Sequence, residues 1–519
     1  MIYNGKKYTP FNGAFNNADF TNTIVGKKGS APIPHRNNKL SSLNKVMEVI
    51  EDGDTISYPH YYRTGDKGLE MIVKKLQETK KKNIQLYANA IFDNTDPWLF
   101  EAFQDGTLSG IYGNPYRKFG AHIMAGDILP HVSVGYSHGN RVRKLQCGEI
   151  HIKVAFGPVP FADIYGNANG MMGKAEHFCG PLGLFYADAE FADYTCLLAG
   201  TVSKDLIMPA PISMEQVDFV IPVKTPGLAE GIGSGTLDIS RAKSVPFNAQ
   251  VANNVTKVTK AAQVIKDRFN FQVGSGAGLI VLDNFRTMLR EMKIKAGFAI
   301  GGVTSLHVDM LDEGLLTYLM HGQLFEPSEK VVKSLLENPY HNEITAGYYA
   351  SVANKEAAVN MLDVAVLSAL EIDTKFNANT VCANGRIIGG IGGGQDVAAG
   401  ADLTIMFVPL ANGKNGKGFP KIVDEVYTIT TPGEVIDVVV TEEYVAVNPN
   451  SKSTYKEALL NNAKEFGLNL ISIEELHERS VAKAKEFGVI PKKAETTDEV
   501  VHIIEWRDGT LLDKIYKPI

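Results

Sequence analysis

The chain has 519 residues, which is long for one hydrophobic core and indicates two or three domains. Hydrophobic residues make up 44% and charged residues 21%, an ordinary globular balance, and 52 Lys and Arg against 58 Asp and Glu give a net charge of −6. This charge argues against a general nucleic-acid or anionic-membrane surface.

The cysteines and the apolar runs predict a cytoplasmic protein. The four cysteines are widely spaced without a CxxC pair, so we expect reduced thiols rather than disulfides or a structural zinc site. The N-terminus lacks the apolar stretch of a signal peptide, and no apolar run approaches the roughly 18 residues of a membrane span. We therefore expect a soluble chain without membrane contact or bound metal.

The first half reads as alternating helices and strands. Residues 1–40 are rich in Asn, Gly, Lys and Pro and predict an extended N-terminal arm. A helix from Ser41, a turn and a strand follow, and the apolar spacing in residues 68–91 predicts an amphipathic helix and a second strand. The alternation continues through Gly200, which indicates βαβ units on a mostly parallel sheet.

A Gly- and Pro-rich section at Thr225–Ser244 is the best domain boundary. It predicts a first domain at residues 41–240 and a second domain at residues 241–519. The C-terminal stretch from Lys456 reads as two amphipathic helices around a short strand, so we expect it to form a helical cap on the second domain.

One sequence pattern occurs twice. Residues 152–170 and 362–380 align without a gap at an offset of 210 residues. The recurring residues are Val154, Ala155, Asp163, Asn167, Ala168 and Asn169, which return as Val364, Ala365, Asp373, Asn377, Ala378 and Asn379. Each copy predicts a buried strand with a polar loop at its carboxyl end, where open α/β sheets bind ligands. Two similar domains with a site between them are therefore expected.

Four glycine-rich stretches are candidates for binding an anion or a developing oxyanion. In the first, a turn after the FQV strand opens a helix, so backbone N–H groups would converge there: Gly274, Ser275, Gly276, Ala277 and Gly278. The second ends a strand and contains Gly301 and Gly302. The third follows the second copy of the repeat and contains Gly392, Gly393, Gly394 and Gln395. The fourth, residues 231–237, lies at the domain junction. For each stretch, the alternative is a tight turn without a ligand.

Several polar side chains are further candidates. His138 follows a predicted strand and could act on a substrate or be a structural histidine. Arg141 and Arg143 alternate on what reads as the next strand, where one face could bind a carboxylate or be solvated. Lys174 is an anion-binding candidate, with a surface lysine as the alternative.

The repeated loops also carry candidates. Glu371 and Asp373 could form a carboxylate pair for acid–base or acyl-carrying chemistry. We favour loop ordering for Asp373, and equally for Asp163 in the first copy. The paired asparagines, Asn167 with Asn169 and Asn377 with Asn379, suit turns and could also donate to an oxygen-rich ligand.

From about Ser41 to its C-terminus the chain resembles the citrate lyase alpha subunits, a family of the coenzyme A transferase superfamily. The most specific matches are HGNRV at 138–142, the GEIHIKVAF strand, GNANGMMGKA at 166–175, GFAIGGVT at 297–304, VLSALEIDTKFNAN at 366–379 and GGQD at 393–396. The resemblance implies an α/β fold in which two related open α/β/α domains of the NagB/RpiA-like coenzyme A transferase type face each other across a cleft.

The same resemblance implies an activity and partners. The chain would exchange an acetyl group for a citryl group on the thioester of an acyl carrier (gamma) subunit. The arm of this carrier is a coenzyme A-derived prosthetic group. A beta subunit would then cleave the citryl-thioester. This chain would bind citrate, hold no tightly bound cofactor, and form a homo-oligomer within a larger complex.

The resemblance also implies roles for particular residues. Backbone amides at 274–278 and 390–394 would stabilise oxyanions, and the paired Asn loops, Arg141 and His138 would bind the carboxylates of citrate. Many coenzyme A transferases carry the acyl group on a glutamate, but Gly301 or Gly302 aligns at that position. This implies that citrate attacks the thioester directly. Glu371 remains as the one candidate to replace the acyl-carrying glutamate.

Other functions stay open at this point. The chain could be a transferase or hydrolase for free coenzyme A thioesters, a citramalate lyase alpha subunit, or a non-catalytic citrate-binding α/β protein. A nicotinamide dehydrogenase is the least favoured, because the glycines at 274, 276 and 278 have the wrong spacing for a dinucleotide fingerprint.

Overall fold

The structure, a computed structural model, describes residues 1–14, 37–232 and 238–519. Most of the predicted N-terminal arm and residues 233–237 of the fourth glycine-rich stretch lie outside the described residues. The described chain is built on two large, mostly parallel sheets, one of ten strands and one of eight. The α/β class predicted from the sequence is confirmed.

The first sheet contains almost all strands of the N-terminal half. In spatial order its strands are Phe219–Pro222, Tyr194–Ser203, Val154–Asp163, Thr55–Tyr58, Ile84–Ile91, Leu108–Pro115, Ser133–Gly135, Thr496–Glu505 and Leu511–Pro518, with Ala168–Asn169 beside Val154–Asp163. All neighbours are parallel except the last pair and the short strand Ala168–Asn169.

The second sheet is built from the C-terminal half. In spatial order its strands are His341–Glu343, Leu316–Phe325, Ala296–Val303, Phe271–Val273, Val364–Ser368, Leu403–Phe407, Val438–Val440 and Val445–Val447. Only the last pair is antiparallel. Shorter strands lie outside both sheets: Ile2–Tyr3, Lys6–Lys7, Glu371–Asp373, Ala378–Asn379, Cys382–Ala383, Arg386–Ile387, Ala411–Lys414, Lys417–Pro420 and Ile422–Val423.

The two sheets share one strand order. In each, the first strand in sequence lies in the middle, at Thr55–Tyr58 or Phe271–Val273. The next three strands follow on one side. On the other side, three later strands follow in the first sheet and four in the second, where the fourth is the antiparallel Val445–Val447. The described part of the chain therefore contains two related open sheets.

The repeated pattern also has one geometry. Phe161 pairs with Asn169 in the first copy, and Glu371 pairs with Asn379 in the second, each antiparallel. The partners differ by the same offset of 210 residues that relates the sequences. The repeat predicted from sequence is thus also a repeat of strand pairing.

Helices cover the sheets and join consecutive strands. They span Leu43–Met47, Gly68–Glu78, Trp98–Gln104, Arg117–Ala125, His138–Gln146, Phe185–Phe191, Ile239–Ser244, Asn248–Ala261, Ala277–Met292, Ser305–Asp312, Glu329–Glu337, Ala346–Ala350, Gly394–Gly400, Lys456–Asn462 and Ile473–Phe487. In Gly68–Glu78, the apolar stripe of Leu69, Ile72 and Leu76 is fully buried, as the helical spacing predicts.

The C-terminal end differs from the prediction. The two predicted helices are present, but the antiparallel hairpin of Thr496–Glu505 and Leu511–Pro518 joins the first sheet through strand Ser133–Gly135. The sequence analysis had placed these residues in the second domain. An alternating apolar pattern predicts a strand but not the strand it pairs with. The sequence near the C-terminus therefore does not predict that the hairpin joins the first sheet.

A second correction concerns Arg141 and Arg143. They lie on helix His138–Gln146 and not on a strand. The Ser137 hydroxyl oxygen accepts a hydrogen bond from the Asn140 N–H at 3.1 Å and caps the helix. The segment is too polar for helical periodicity to reveal it, because its polar side chains are buried by tertiary contacts.

Candidate active site

A cavity of about 190 Å³ lies between the two halves of the chain, at the carboxyl ends of second-sheet strands. His138 comes from the first half. The other lining residues come from the second half: Gln272, Val273, Gly274, Ser275, Leu279, Gly301, Gly302, Gly322, Ala346, Tyr349 and Gly393. Of the residues predicted from the sequence, this cavity brings together His138, Gly274, Ser275, Gly301, Gly302 and Gly393.

The first glycine-rich stretch forms the turn that was predicted. It connects strand Phe271–Val273 to helix Ala277–Met292, and Gly276 adopts a φ of +66°, which favours glycine. The N–H groups of Gly274 and Gly278 donate within the main chain, to Val366 O at 2.8 Å and Ser275 O at 3.3 Å.

The remaining N–H groups of this turn are available to a ligand. Those of Ser275, Gly276 and Ala277 have no acceptor within the described residues. They lie at the positive end of the dipole of a 16-residue helix. The turn can therefore stabilise negative charge beside the cavity.

His138 is held at the start of its helix by both halves. Its N–H donates to Gly392 O at 3.1 Å, and its Nδ1 contacts Asn89 Oδ1 at 3.0 Å. Because the Asn89 amide oxygen can only accept, Nδ1 carries the ring proton and Nε2 is left as an acceptor. Burial, together with the charges of Arg141 and Arg63, lowers the pKa of His138 to about 4. The imidazole is therefore neutral at pH 7.

Asp396, from the third glycine-rich stretch, ties the two halves together next to His138. It accepts the Ser137 hydroxyl and the Gly139 N–H, both at 2.9 Å. Burial raises its pKa to about 6, against the opposing effect of Arg507. A Cβ on Gly139 would come within 2.2 Å of Ala350 O, so glycine permits this close approach. The HGN and GGQD motifs therefore build one junction.

Gln272 and Tyr349 were not identified from the sequence. The Tyr349 hydroxyl donates to Gln272 Oε1 at 3.2 Å, and both residues line the cavity. Burial raises the pKa of Tyr349, so its hydroxyl stays protonated. Gln272 had one available signal, since it is the polar residue of the FQV strand before the glycine-rich turn. Tyr349 had none.

A second cavity, of about 550 Å³, adjoins the first at Ser275. Three arginines line it, Arg63, Arg117 and Arg241, which come from segments far apart in sequence. The Arg63 guanidinium lies 5.1 Å from the centroid of the Phe92 ring, and Phe92 stacks on Tyr116 at 4.8 Å between centroids. The lining also contains Asp93 and Asp238, so its charge is mixed with a basic excess. We name it the arginine cavity.

Two predicted basic residues lie elsewhere. Arg141 is fully buried and forms a bidentate pair with Asp188, with both contacts at 2.7 Å. Its guanidinium also lies over the Tyr87 ring, so it holds the fold and does not face the cavity. Lys174 is exposed and lines neither cavity.

The asparagine loops are held by their own hydrogen bonds. Asp163 Oδ1 accepts the Asn167 N–H at 3.0 Å, and Asp373 Oδ1 accepts the Asn377 N–H at 2.9 Å. Each aspartate also accepts from the side chain of the same asparagine. The asparagine side chains accept from main-chain N–H groups of neighbouring segments: Asn167, Asn169, Asn377 and Asn379. None of the four lines either cavity, so the loop-ordering alternative describes them.

Glu371 and Gln395 are likewise used inside the fold. Glu371 Oε1 accepts from Asn379 Nδ2 at 2.9 Å and from the Tyr427 N–H at 2.6 Å, and it lines neither cavity. The fully buried Gln395 donates to Thr430 O and Glu505 O, which ties its loop to the C-terminal hairpin. Gly394 N donates to Ile391 O at 3.2 Å.

Other kinds of site are absent from the described residues. They contain no group of three or more His, Cys, Asp or Glu side chains that could hold a metal ion. No helix among them is long and apolar enough to cross a membrane. All four cysteines are free and buried.

Two related open sheets with a cavity between them define a fold of the coenzyme A transferase type. A solved malonate decarboxylase alpha subunit from Acinetobacter baumannii shares the fold at 15% identity and a TM-score of 0.60, covering 86% of this chain and 88% of its own.

Closer similarities define the family. The family model "Citrate lyase, alpha subunit (CitF)" matches residues 37–518. The citrate lyase alpha chain of Klebsiella pneumoniae is 37% identical over 469 residues, covering 90% of this chain and 88% of its own. A structure described as a citrate lyase alpha subunit from Streptococcus mutans, in complex with citrate, superposes with a TM-score of 0.86 at 34% identity, covering 94% and 93%. The chain belongs to the citrate lyase alpha subunit family.

Proposed function

We propose that the chain exchanges acetyl for citryl on the thioester of an acyl carrier protein, so that acetyl-carrier and citrate give citryl-carrier and acetate. The observation that carries this proposal is the cavity between the two sheets, whose lining contains both His138 and the glycine-rich turn at the start of a helix. The relative that contains citrate supports citrate as the acceptor. The enzyme is then a citrate coenzyme A-transferase.

The chemistry needs oxyanion stabilisation more than acid–base catalysis. A citrate carboxylate attacks the thioester carbonyl carbon, the C=O electron pair moves to oxygen, and the tetrahedral oxyanion collapses to an anhydride and a thiolate. The thiolate then attacks the citryl carbonyl of the anhydride and expels acetate. No net proton is transferred. The N–H groups of Ser275, Gly276 and Ala277 are positioned for the oxyanions, each worth about 2.7–4 kcal/mol if it acts like a measured oxyanion donor.

The cavity supports direct attack by citrate. Its wall contains glycine at Gly301 and Gly302, and among the described residues no Asp or Glu lines it. Glu371, the carboxylate considered as a substitute, is held by Asn379 and Tyr427. Within the described part of the chain, the lining of this cavity therefore offers no carboxylate that could carry the acyl group.

His138 suits the hydroxyl of citrate. A neutral imidazole with an accepting Nε2 matches a hydroxyl donor rather than a carboxylate. The N–H groups of the glycine-rich turn then remain for the oxyanions. A hydrogen bond from the citrate hydroxyl to His138 Nε2 would distinguish citrate from a tricarboxylate that lacks the hydroxyl.

The arginine cavity suits the arm of the carrier. Guanidinium groups bind phosphate oxygens by paired hydrogen bonds, and the stacked rings of Phe92 and Tyr116 offer an apolar surface. A phosphate-bearing, coenzyme A-derived arm lying there would bring its thioester to Ser275, where the two cavities meet. We infer that the carrier and a beta subunit are the partners, in a cytoplasmic complex that contains several copies of this chain.

The test is to mix the purified chain with acetylated carrier and citrate and to weigh the carrier by mass spectrometry. The proposal predicts conversion of acetyl-carrier into citryl-carrier with release of acetate. Exchange from free acetyl-CoA but not from the carrier would favour a transferase for free thioesters, and exchange with citramalate but not with citrate would change the acceptor. Citrate binding without any exchange would contradict catalysis and favour a citrate-binding protein.

A further inference from the structure

We propose that Gln272 is a catalytic residue, and that its side-chain Nε2 donates a hydrogen bond to the oxyanion formed during acyl exchange. The proposal deepens the proposed function and rests on it. Gln272 is the middle residue of strand Phe271–Val273, the central strand of the second sheet, and lines the cavity beside the glycine-rich turn.

Tyr349 fixes the orientation of the carboxamide. Its hydroxyl donates to Gln272 Oε1 at 3.2 Å, so the amide nitrogen is the opposite end of the group. Among the described residues, Nε2 has no hydrogen-bond partner, and the half-buried glutamine lines the cavity. An amide N–H that borders a cavity without a protein acceptor is available to donate to a ligand bound there.

Two glycines make room for this pair. A Cβ on Gly301 would lie 2.9 Å from both Cδ and Nε2 of Gln272, and the φ of +106° at Gly301 also disfavours a side chain. A Cβ on Gly393 would lie 2.5 Å from the Tyr349 hydroxyl. The carboxamide therefore occupies space that a side chain at position 301 would need.

This position gives the amide a role that needs no proton transfer. When citrate attacks the thioester, the carbonyl C=O electron pair moves onto oxygen, and Nε2–H donates to the resulting oxyanion while keeping its proton. The same donor serves the second tetrahedral oxyanion, which forms when the thiolate attacks the citryl carbonyl. Tyr349 is a positioning residue, because it touches Gln272 and acts through it.

The experiment compares kcat for exchange with the Kd for citrate in Gln272→Met, which keeps the side-chain length and removes the donor. We expect kcat to fall by about 10²–10³-fold, the loss measured for other single oxyanion donors, while the citrate Kd stays within about 3-fold of the parent. Gln272→Glu should lose at least as much, since a carboxylate only accepts. The matched control is Gln85→Ala, at a half-buried glutamine on strand Ile84–Ile91.

Tyr349→Phe tests the positioning role. We expect a smaller fall in kcat, and a Tyr349→Phe/Gln272→Met double variant no slower than Gln272→Met alone, because the tyrosine acts only through the glutamine. A purely structural role would instead give additive losses together with a lower Tm.

Two outcomes would overturn the proposal: Gln272→Met with kcat within about 3-fold of the parent, or a loss confined to the citrate Kd. If Gln272→Met does not fold, the Gln272→Glu variant and the single Tyr349→Phe variant still decide. A parent protein that performs no exchange would instead contradict the proposed function itself.

Discussion

His138 illustrates how burial sets the chemistry of a single side chain. An exposed histidine titrates near pH 6.5, whereas burial lowers the pKa of His138 to about 4 and keeps it neutral. With Nδ1 facing Asn89 Oδ1, the ring offers an acceptor to the cavity. We therefore expect His138 to recognise a hydroxyl group of the bound substrate.

We predict that the chain binds citrate about 10-fold more tightly than tricarballylate, which has the three carboxylates without the hydroxyl, because one hydrogen bond is worth about 1.4 kcal/mol. His138→Ala should bring the two Kd values together, as measured by calorimetry. His151→Ala, at a histidine whose side chain is 71% exposed, should keep the preference. A preference that survives in His138→Ala would contradict this role.

For single residues, the sequence predicted features that depend on neighbouring residues, but it did not predict contacts between distant segments. The glycines and His138 were found because turn chemistry and strand ends are local features. Arg141 was misplaced, since its buried partner Asp188 lies on a different helix and the pairing depends on tertiary packing. Gln272 and Tyr349 were missed for the same reason, because their contact joins distant segments.

At the scale of elements, the repeated loops show which pattern the sequence resolved. The offset of 210 residues holds for the sequence, for the strand pairing and for the aspartate hydrogen bonds. The sequence left both loop ordering and ligand binding open for the asparagines. The contacts favour loop ordering, and only the packed structure could decide, because an Asn side chain suits either role.

We predict that Asp163→Ala and Asp373→Ala each lower the free energy of unfolding by at least about 2 kcal/mol, because several loop N–H groups lose a charged acceptor. Urea unfolding measures this effect. Exchange assayed well below the Tm should persist, since neither residue lines a cavity. Asp205→Ala, at an exposed aspartate, should change stability by no more than about 0.5 kcal/mol. Unchanged stability with lost citrate binding would restore the ligand-binding interpretation.

At the scale of the whole molecule, two copies of one strand order face a shared cavity. The alternation of helices and strands predicted a mostly parallel sheet in the first half, and the repeat predicted two related domains. The C-terminal hairpin was not predicted, because it joins the first sheet after the chain has completed the second. Gln395 donates to Glu505 O on this hairpin, which links the GGQD loop to the first sheet. The hairpin thus helps to hold the two halves together.

The central claim is that citrate attacks the thioester directly, and oxygen tracing tests it. In a single turnover with acetyl-carrier and citrate labelled with ¹⁸O in its carboxylates, direct attack sends one citrate oxygen through the anhydride into the departing acetate. We therefore predict singly labelled acetate from the parent and from Glu371→Ala, read by mass spectrometry. Unlabelled acetate, together with ¹⁸O in a carboxylate of the protein, would show that an enzyme carboxylate carries the acyl group and would contradict the account.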